Sequence, residues 1–433
     1  MELIQLEKFD AVVVGAGPAG STSAFVMAKA GLKVLLLERS KAAGEKNVFG
    51  GRIYSHVLKR LFSNFEDEAP VERYVVRETI GMMDDSDCVS LDFVSRRDTP
   101  RSACSFVARR NRFDKWLSEK AEQAGALFVG GTKVDDLIIR DGKVCGIVSG
   151  SDTIEADCVV DAEGVTAALS RRAGLRNDVA PSQIKVGVKE TIQLSRQSIN
   201  ERFSLSDDEG AACVYIGQPT SFLTASGAFV YTNSESISIG VVVDPLELSQ
   251  ARIEVQEMIE KFRLHPSMER LLSGGKVIEY SAHMIPNSVP ALPSNLIRDG
   301  FLSTGDAAGF FINHGFTYRG VDLAMASGEA AGNAVVEAHS LGSYGREELM
   351  RYYSGLSSTV LPEMEHAEKT GEVLHNERIF STYPSIAIGF MEDMFRINGF
   401  DREGAASLLK KNMSGRVSTL RMLRDAYSAY RRM

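Results

Sequence analysis

The N-terminal pattern of apolar and polar residues predicts a strand, a helix and a second strand in quick succession. Residues 11–14 are an uninterrupted apolar run, which is typical of a strand buried on both faces of a parallel sheet. Residues 21–30 are rich in alanine and have the pattern of a helix that ends at Gly31, and residues 34–37 are a second apolar run. A βαβ unit of this kind predicts an α/β fold.

Three glycines at G-x-G-x-x-G spacing (Gly15, Gly17 and Gly20) separate the first strand from the helix. The first permits a tight turn, the second lets a pyrophosphate approach the backbone, and the third lets helix and strand pack closely. Glu38 closes the second strand, where a carboxylate can accept hydrogen bonds from both ribose hydroxyls. The unit predicts a dinucleotide site rather than an ordinary tight turn, and the acid disfavours NADP.

Alternating apolar and polar residues predict a second sheet. Its strands are expected within residues 72–93, 184–194, 212–216 and 227–243. Residues 126–134 and 153–161 are expected to return to the first sheet, and helical patterns dominate after Gly345. The predicted domains are a discontinuous nucleotide-binding domain at 1–75, 100–180 and 295–345, a β-sheet domain at 76–99 and 181–294, and a helical C-terminal region at 346–433.

Composition is that of a globular protein that does not bind nucleic acid. The chain has 433 residues, of which 44% are hydrophobic and 24% charged, and its formal net charge is −8. An acidic protein is unsuited to a polyanionic partner. No apolar run reaches the ~18 residues of a membrane span. The acidic N-terminus runs straight into a strand and does not resemble a signal peptide, so we expect a cytoplasmic protein.

The cysteines argue against a metal centre. Cys88, Cys104, Cys145, Cys158 and Cys213 are scattered, and none forms a C-x-x-C pair. This spacing excludes an iron–sulfur cluster or a zinc ribbon ligated within the chain. Cys104 and Cys213 have no partner base in the sequence, so we expect both in the core.

Two further segments extend the resemblance to a known class. Residues 161–164 (Asp-Ala-Glu-Gly) and 305–309 (Gly-Asp-Ala-Ala-Gly) follow the first unit in the order found in glutathione-reductase-type flavoproteins. The chain most resembles the branch with p-hydroxybenzoate hydroxylase and geranylgeranyl reductases. This resemblance implies an α/β (α+β overall) fold: a Rossmann-like FAD-binding domain, an inserted β-sheet domain and a helical C-terminal region.

In that branch the Asp of the late Gly-Asp motif binds the ribityl chain of FAD, which implies this role for Asp306. Arg110 begins an R-x-x-F-D-x-W-L element whose Arg also contacts FAD. The helix that follows Asp306 would point its positive N-terminal end at the flavin pyrimidine edge, where it stabilises negative charge.

The resemblance narrows to the FixC family on three segments. They are residues 46–54 (K-N-x-x-G-G-R-x-Y), 279–283 (E-Y-S-A-H) and 305–324, which ends G-F-T-Y-R-G-V-D-L-A. Members are electron-transfer flavoprotein–quinone oxidoreductases without the iron–sulfur domain. The resemblance implies that electrons pass from an electron-transfer flavoprotein to membrane quinone, and that a small ferredoxin-like iron–sulfur subunit accompanies the chain. It implies a peripheral position on the inner face of the cell membrane.

The resemblance also implies a set of site residues. Cofactor binding is expected at Gly15, Gly17, Ala19, Gly20, Glu38, Arg39, Asn47, Arg52, Arg110, Val134, Gly305, Asp306 and Gly309. Gly50, Gly51 and Arg52 would line the flavin, and Thr317 and Arg319 would hold the loop at its edge. No general acid–base pair is expected, because the cofactor carries the redox step.

Some features depart from the family pattern. Glu163 stands where relatives usually have Asp, and Asn287-Ser288 stand where relatives have Gly-Gly. His314 could hydrogen-bond the flavin edge, or it could be structural. Two rival functions remain: a flavin-dependent reductase of a prenyl or other apolar substrate, and a flavin monooxygenase.

The C-terminal third contains a candidate membrane-docking surface. Residues 379–400 are strongly apolar and aromatic, and residues 410–433 carry seven basic residues and one acidic residue. Basic residues are attracted to an anionic leaflet. Alternatively, the apolar stretch is core and the basic tail binds an acidic subunit.

Overall fold

A computed structural model of the chain describes residues 8–46, 51–95, 100–220, 226–287, 292, 295–315, 317–397, 399–400 and 403–432. The predicted site residues Asn47 and Gly50, and Ser288, lie outside the described residues. The strands are β1 (Phe9–Val14), β2 (Val34–Glu38), β3 (Arg52–Tyr54), β4 (Arg73–Met83), β5 (Cys88–Val94), β6 (Ser105–Val107), β7 (Leu127–Gly130), β8 (Asp136–Arg140), β9 (Lys143–Ser149), β10 (Asp152–Asp161), β11 (Ile184–Gln193), β12 (Glu209–Gly217), β13 (Gly227–Thr232), β14 (Ser236–Val243), β15 (Lys276–Pro286), β16 (Ile297–Arg298), β17 (Phe301–Ser303), β18 (Ile312–Asn313) and β19 (Tyr318–Arg319).

The α-helices concentrate in the last third of the chain. They are α1 (Pro18–Lys29), α2 (His56–Leu61), α3 (Phe65–Glu68), α4 (Arg110–Gln123), α5 (Ala168–Arg172), α6 (Arg196–Phe203), α7 (Pro245–Ala251), α8 (Val255–Leu264), α9 (Pro266–Leu272), α10 (Val321–Ser340), α11 (Arg346–Leu349), α12 (Arg351–Ser357), α13 (Val360–Leu374), α14 (Thr382–Phe395), α15 (Ala405–Met413) and α16 (Thr419–Arg432).

The first sheet has the parallel core that the N-terminal pattern predicts. Its strand order is β16-β17-β10-β1-β2-β7, all parallel except β16, and the β8–β9 hairpin extends from β10. Ala11 and Val13 pack into the core that contains the buried faces of α1, α4 and α10, whereas Val12 and Val14 pack into a core on the opposite face. Burial on both faces explains why this strand has no polar residue in its second half.

The second sheet is mixed and lies over the first unit. Its order is β15-β11-β14-β13-β12-β4-β6-β3, with β5 on β4. One face packs on α8 and α9 through residues such as Val188, Ile239 and Phe262. The other face carries Phe229, Tyr231 and further apolar residues toward the first unit.

Sheet membership departs from the predicted domain boundaries at two places. β3 and β6 fall within residues assigned to the nucleotide-binding domain, yet they pair with each other, and β6 also pairs with β4 in the second sheet. Strands of three residues are too short to show an alternating pattern, so the sequence gives no sign of this pairing. The domain boundaries themselves stay a prediction.

The C-terminal region is helical, as predicted. α14 lies across β4, β5 and β12, and α16 contacts α13. Asp425 of α16 accepts hydrogen bonds from Arg378 (Nε 2.7 Å, Nη2 2.9 Å) and from the Tyr383 hydroxyl (2.5 Å). None of the described helices combines the length and apolarity that a bilayer span requires.

One predicted core residue is exposed. Cys213 is buried as expected, but Cys104 is exposed, so its assignment to the core was wrong. Cys104 lies in the turn before β6, where its carbonyl accepts a hydrogen bond from the Ser55 backbone N–H at 2.9 Å. The turn, not the apolarity of the thiol, determines the side chain's direction.

Candidate cofactor site

A cavity of about 1100 Å³ lies between the carboxyl ends of β1, β2 and β10 and the inner face of the second sheet. Ligands of open α/β sheets bind at this edge. Many of the predicted site residues line it: Gly15, Gly17, Ala19, Glu38, Arg39, Gly51, Arg52, Arg110, Val134, Asp306 and Arg319.

Of the predicted site residues that the structure describes, four do not line the cavity: Gly20, Gly305, Gly309 and Thr317. A Cβ on Gly20 would lie 1.9 Å from the carbonyl oxygen of Gly15, so Gly20 serves the close helix–strand packing that its spacing predicts. Gly305 has φ +63° and a Cβ there would lie 2.7 Å from Ala19 Cβ. Gly20 and Gly305 therefore allow close packing behind the cavity wall, and they do not face a ligand.

Gly17 is the glycine that leaves room for a ligand. It precedes α1, which begins at Pro18, and a Cβ on it would meet no atom within 4 Å. The backbone N–H groups of the first turn of α1 are therefore accessible from the cavity. A phosphate group fits there, because the positive end of a helix stabilises an anion.

Glu38 has room for ligand hydroxyls. Its Oε2 accepts a hydrogen bond from the Ala16 N–H at 3.1 Å, and its Oε1 accepts one from the Ser40 N–H at 2.9 Å. Each carboxylate oxygen has a second lone-pair site. The geometry fits a ribose, whose two hydroxyls donate to one carboxylate.

Asp306 is a partly buried carboxylate that faces the cavity. Among the described residues no hydrogen bond to its side chain is formed, and burial raises its pKa to about 6 against the opposing effect of Arg110. Arg110 itself donates from Nε and Nη2 to the two oxygens of Asp114, at 2.9 Å each. An ionised acid without a donor is costly when buried, so this position fits a ligand that brings hydroxyl groups.

The predicted cations Arg52 and Arg319 are both held by carboxylates. Arg52 forms a two-point contact with Glu78, and its Nε donates to Ser105 Oγ at 3.1 Å. Arg319 donates to Asp322 Oδ2 (2.6 and 3.0 Å) and to Glu363 Oε2 (2.8 Å). Arg319 thereby fixes the β18–β19 hairpin against α10 and α13.

The cavity has an aromatic wall that sequence reasoning missed. It consists of the stacked pair Phe229–Tyr231 of β13 and the stacked pair Phe311–Tyr318 at the β18–β19 hairpin, with ring centroids 4.8 and 5.8 Å apart. The alternation of residues 229–231 predicts that Phe229 and Tyr231 share a face. It does not indicate that this face borders a cavity.

His283 also lines the cavity, and its environment keeps it neutral. Burial, together with the positive charges of Arg110 and Arg39, lowers the pKa of His283 to about 4.

Two other residues singled out in the sequence lie away from the cavity wall. His314 does not line the cavity, and its Nε2 lies 3.6 Å from Glu363 Oε2. The Asn287 side chain donates to the Ser182 carbonyl at 2.8 Å and so links the end of β15 to the turn at residues 181–183. Within the described ranges no cluster of His, Cys, Asp or Glu could hold a metal ion.

Family models match three segments of the chain. A model described as "ETF-QO, ubiquinone-binding" matches residues 185–285, and one described as "ETF-QO/FixC family C-terminal domain" matches residues 371–433. A model of the Thi4 family matches residues 1–77. The ubiquinone-binding match spans β11 to β14 and most of β15, which include Phe229, Tyr231 and His283.

Curated relatives match along nearly the whole chain. Protein FixC of Escherichia coli K12 is 40% identical over 420 residues, which cover 96% of this chain and 97% of FixC. The probable electron transfer flavoprotein-quinone oxidoreductase YdiS of the same strain is 42% identical over 421 residues, 97% of each chain. FixC of Azotobacter vinelandii is 32% identical over 434 residues, 98% of this chain and 99% of that protein.

Solved structures agree on the fold. A geranylgeranyl bacteriochlorophyll reductase-like protein of Thermoplasma acidophilum has a TM-score of 0.73 at 19% identity, over 98% of this chain and 99% of that chain. The flavin-dependent brominase Bmp2 has a TM-score of 0.65 at 16% identity, over 98% and 100%. At these identities the likeness shows the fold alone, and it confirms the expected fold class.

The curated relatives, at 32–42% identity over nearly the whole chain, show the family as well as the fold. The chain belongs to the ETF-QO/FixC family.

Proposed function

We propose that the chain binds FAD in this cavity and passes electrons from an electron-transfer flavoprotein to a quinone. One observation carries the proposal: a single cavity joins the glycine turn after β1 to the inner face of the segment that matches the ubiquinone-binding model. A dinucleotide at one end and an aromatic wall at the other would bring cofactor and acceptor together.

The residues of the first unit would hold FAD by complementary chemistry. The first turn of α1 would bind the pyrophosphate, Glu38 the adenosine ribose and Asp306 the ribityl hydroxyls, with Arg110 beside Asp306. When bound, FAD supplies two-electron redox chemistry. The N-terminus of α10, where Gly320 and Val321 line the cavity, would stabilise negative charge at the flavin.

The aromatic wall supports a flat, apolar acceptor. Phe229, Tyr231, Phe311 and Tyr318 offer ring faces, and Val242 and Ile285 add aliphatic surface. A quinone ring can stack on such surface, since aromatic rings favour offset stacking. A prenyl substrate would also fit apolar surface, so the reaction with a defined acceptor has to distinguish a quinone oxidoreductase from a prenyl reductase.

The deciding experiment mixes the FAD-loaded protein with reduced electron-transfer flavoprotein and a short-chain ubiquinone analogue. We expect quinone reduction that depends on all three components. If the protein is instead oxidised rapidly by oxygen in the presence of NAD(P)H, it is a monooxygenase. If it saturates only an isoprenoid chain, it is a prenyl reductase. Either result would refute the proposal.

The proposal includes a separate small iron–sulfur subunit. The sequence contains five cysteines without the spacing of a cluster site, so any such cluster has to come from a partner. Copurification of the chain with a ferredoxin-like protein from its source cells, followed by iron analysis, tests this partner. A complex that transfers electrons to quinone without iron would refute it.

We further propose that the protein docks on the membrane surface, where quinones partition. Leu91 and Phe93 of β5 are 71% and 61% exposed, and Phe395 of α14 is 77% exposed. These side chains lie on two elements in contact, since α14 packs across β4 and β5, and they are termed here the β5–α14 patch. Exposed apolar patches of this kind are typical of membrane or protein contacts.

A further inference from the structure

Tyr54 belongs to the K-N-x-x-G-G-R-x-Y segment, yet none of the proposed cofactor contacts involves it. It ends β3 and lines the cavity. The guanidinium carbons of Arg52 and Arg319 lie 4.8 and 5.1 Å from the centroid of its ring. Each cation is attracted to the ring face, so the two together restrict the movement of the ring.

The two arginines are fixed in turn by ion pairs. Arg52 contacts Glu78 at two points, and Arg319 contacts both Asp322 and Glu363. These partners come from β4, α10 and α13, so the Tyr54 ring is held by the second sheet, by α10 and by the helical region. A residue held in this way has a defined position before any ligand arrives.

The phenol group of Tyr54 is available as a donor. Burial raises its pKa, although Arg52 and the neighbouring Thr317 side chain oppose this shift, so the hydroxyl keeps its proton. A phenol oxygen can accept one hydrogen bond and still donate its own proton. Tyr231 of the aromatic wall lines the same cavity as Tyr54, and the two phenols interact electrostatically.

We propose that the Tyr54 hydroxyl donates a hydrogen bond to the carbonyl oxygen of the electron acceptor, with Thr317 as its positioning residue. The inference rests on the proposed function, since it takes the acceptor to be a quinone. Reduction of a quinone adds two electrons, supplied by the cofactor, and two protons from solvent, which gives the hydroquinone. Negative charge develops on the carbonyl oxygen, where a fixed donor beside two guanidinium groups stabilises it. Tyr54 keeps its own proton throughout.

The test compares two acceptors in stopped-flow experiments on the FAD-loaded protein reduced with dithionite. A water-soluble benzoquinone has carbonyl oxygens, whereas ferricenium has none. Tyr54→Phe keeps the ring and loses the hydroxyl, so we expect oxidation by the quinone to slow about tenfold. Oxidation by ferricenium should change less than about twofold, with the flavin content unchanged. Tyr74→Phe, in a buried tyrosine outside the cavity wall, is the matched control and should alter neither rate.

Substitutions of Thr317 test the same proposal independently, and they remain informative if Tyr54→Phe does not fold. Thr317→Val should slow the quinone reaction selectively, and Thr317→Ser should restore it. An unchanged quinone rate in Tyr54→Phe, equal slowing with both acceptors, or loss of FAD would each overturn the role of Tyr54. A wild-type protein that ferricenium oxidises but no quinone does would refute the proposed function itself.

Discussion

Gly17 and Gly20 stand three residues apart, yet an added side chain would meet opposite surroundings at the two positions. At Gly20 it would strike the backbone of Gly15, whereas at Gly17 it would enter open space in the cavity. A substitution at Gly17 therefore tests ligand binding with little effect on the fold.

We predict that Gly17→Val folds but contains no flavin. The branched side chain would occupy the place of the pyrophosphate, so the purified protein should lack the visible absorbance of flavin. Its circular dichroism and thermal melting should match those of wild-type protein stripped of FAD. A variant that purifies with full flavin content would show that the cofactor does not lie against this turn.

Asp306 links cofactor affinity to the stability of the FAD-free protein. Its pKa in the folded chain is about 6, above the ordinary value of 3.8. Between these values the folded state binds more protons than the unfolded state, so the stability of the FAD-free protein falls as pH rises through this window. The penalty at neutral pH is on the order of 3 kcal/mol.

We predict that Asp306→Asn stabilises the FAD-free protein at pH 7.5 and removes the fall in stability between pH 4 and 6. The same variant should bind FAD about tenfold more weakly or worse, because hydrogen bonds to a charged group contribute about 1.5–3 kcal/mol. Thermal melting and FAD titration of the stripped protein measure the two effects. Asp157→Asn, on the surface and away from the cavity, is the control. Unchanged FAD affinity would exclude the ribityl role.

At the level of elements, contact between α1 and α10 sets the shape of the cavity floor. A Cβ on Gly328 of α10 would lie 2.2 Å from the carbonyl oxygen of Ala19, which itself lines the cavity. Gly332 has the same effect a turn further along α10, since a Cβ there would lie 2.8 Å from Val26 Cβ. The small residues of α10 therefore allow an approach that positions the first turn of α1.

We predict that Gly328→Ala destabilises the protein by about 1–3 kcal/mol, as overpacking does, and lowers its flavin content. Gly371 in α13 is the matched control, since a Cβ there would meet no atom within 4 Å. Gly371→Ala should stabilise the protein by about 0.5–1 kcal/mol, because Ala favours the helix. Denaturant unfolding of both variants measures this difference. Equal effects would show that the helix contact is looser than the structure indicates.

The sequence could predict those elements in which each face of the strand or helix is either buried or exposed along its whole length. β1 is apolar because both faces are buried, and α4 shows Phe113, Trp116 and Leu117 at helical spacing because one face is buried. The glycine turn, Glu38 and Asp306 follow from local motifs. The pairing of β3 with β6 and the aromatic wall depend on contacts between distant segments, which no local pattern records. Exposure of Cys104 depends on a turn.

At the scale of the whole molecule, two of the exposed apolar regions among the described residues differ in chemistry. The β5–α14 patch contains aliphatic and aromatic side chains, whereas α16 exposes Leu420, Leu423, Tyr427 and Tyr430 next to arginines. The hydrogen bonds of Asp425 to Arg378 and Tyr383 fix α16, and these four apolar side chains lie on its exposed side. An amphipathic helix with basic residues is suited to the surface of an anionic bilayer.

We predict that the protein floats with anionic liposomes at low salt through the β5–α14 patch, assisted by the basic tail. Phe93→Ser combined with Phe395→Ser should abolish flotation, because burial of a large apolar side chain contributes about 1.5–3 kcal/mol. The matched control is Leu127→Ser with Leu341→Ser, at exposed apolar positions on the first sheet and after α10. A chain that ends at Leu409 should float less and with a weaker dependence on salt, because each basic residue contributes about 1 kcal/mol near an anionic leaflet. If the full chain fails to float at low salt, membrane contact has to come from partner subunits, and the patch is a protein interface.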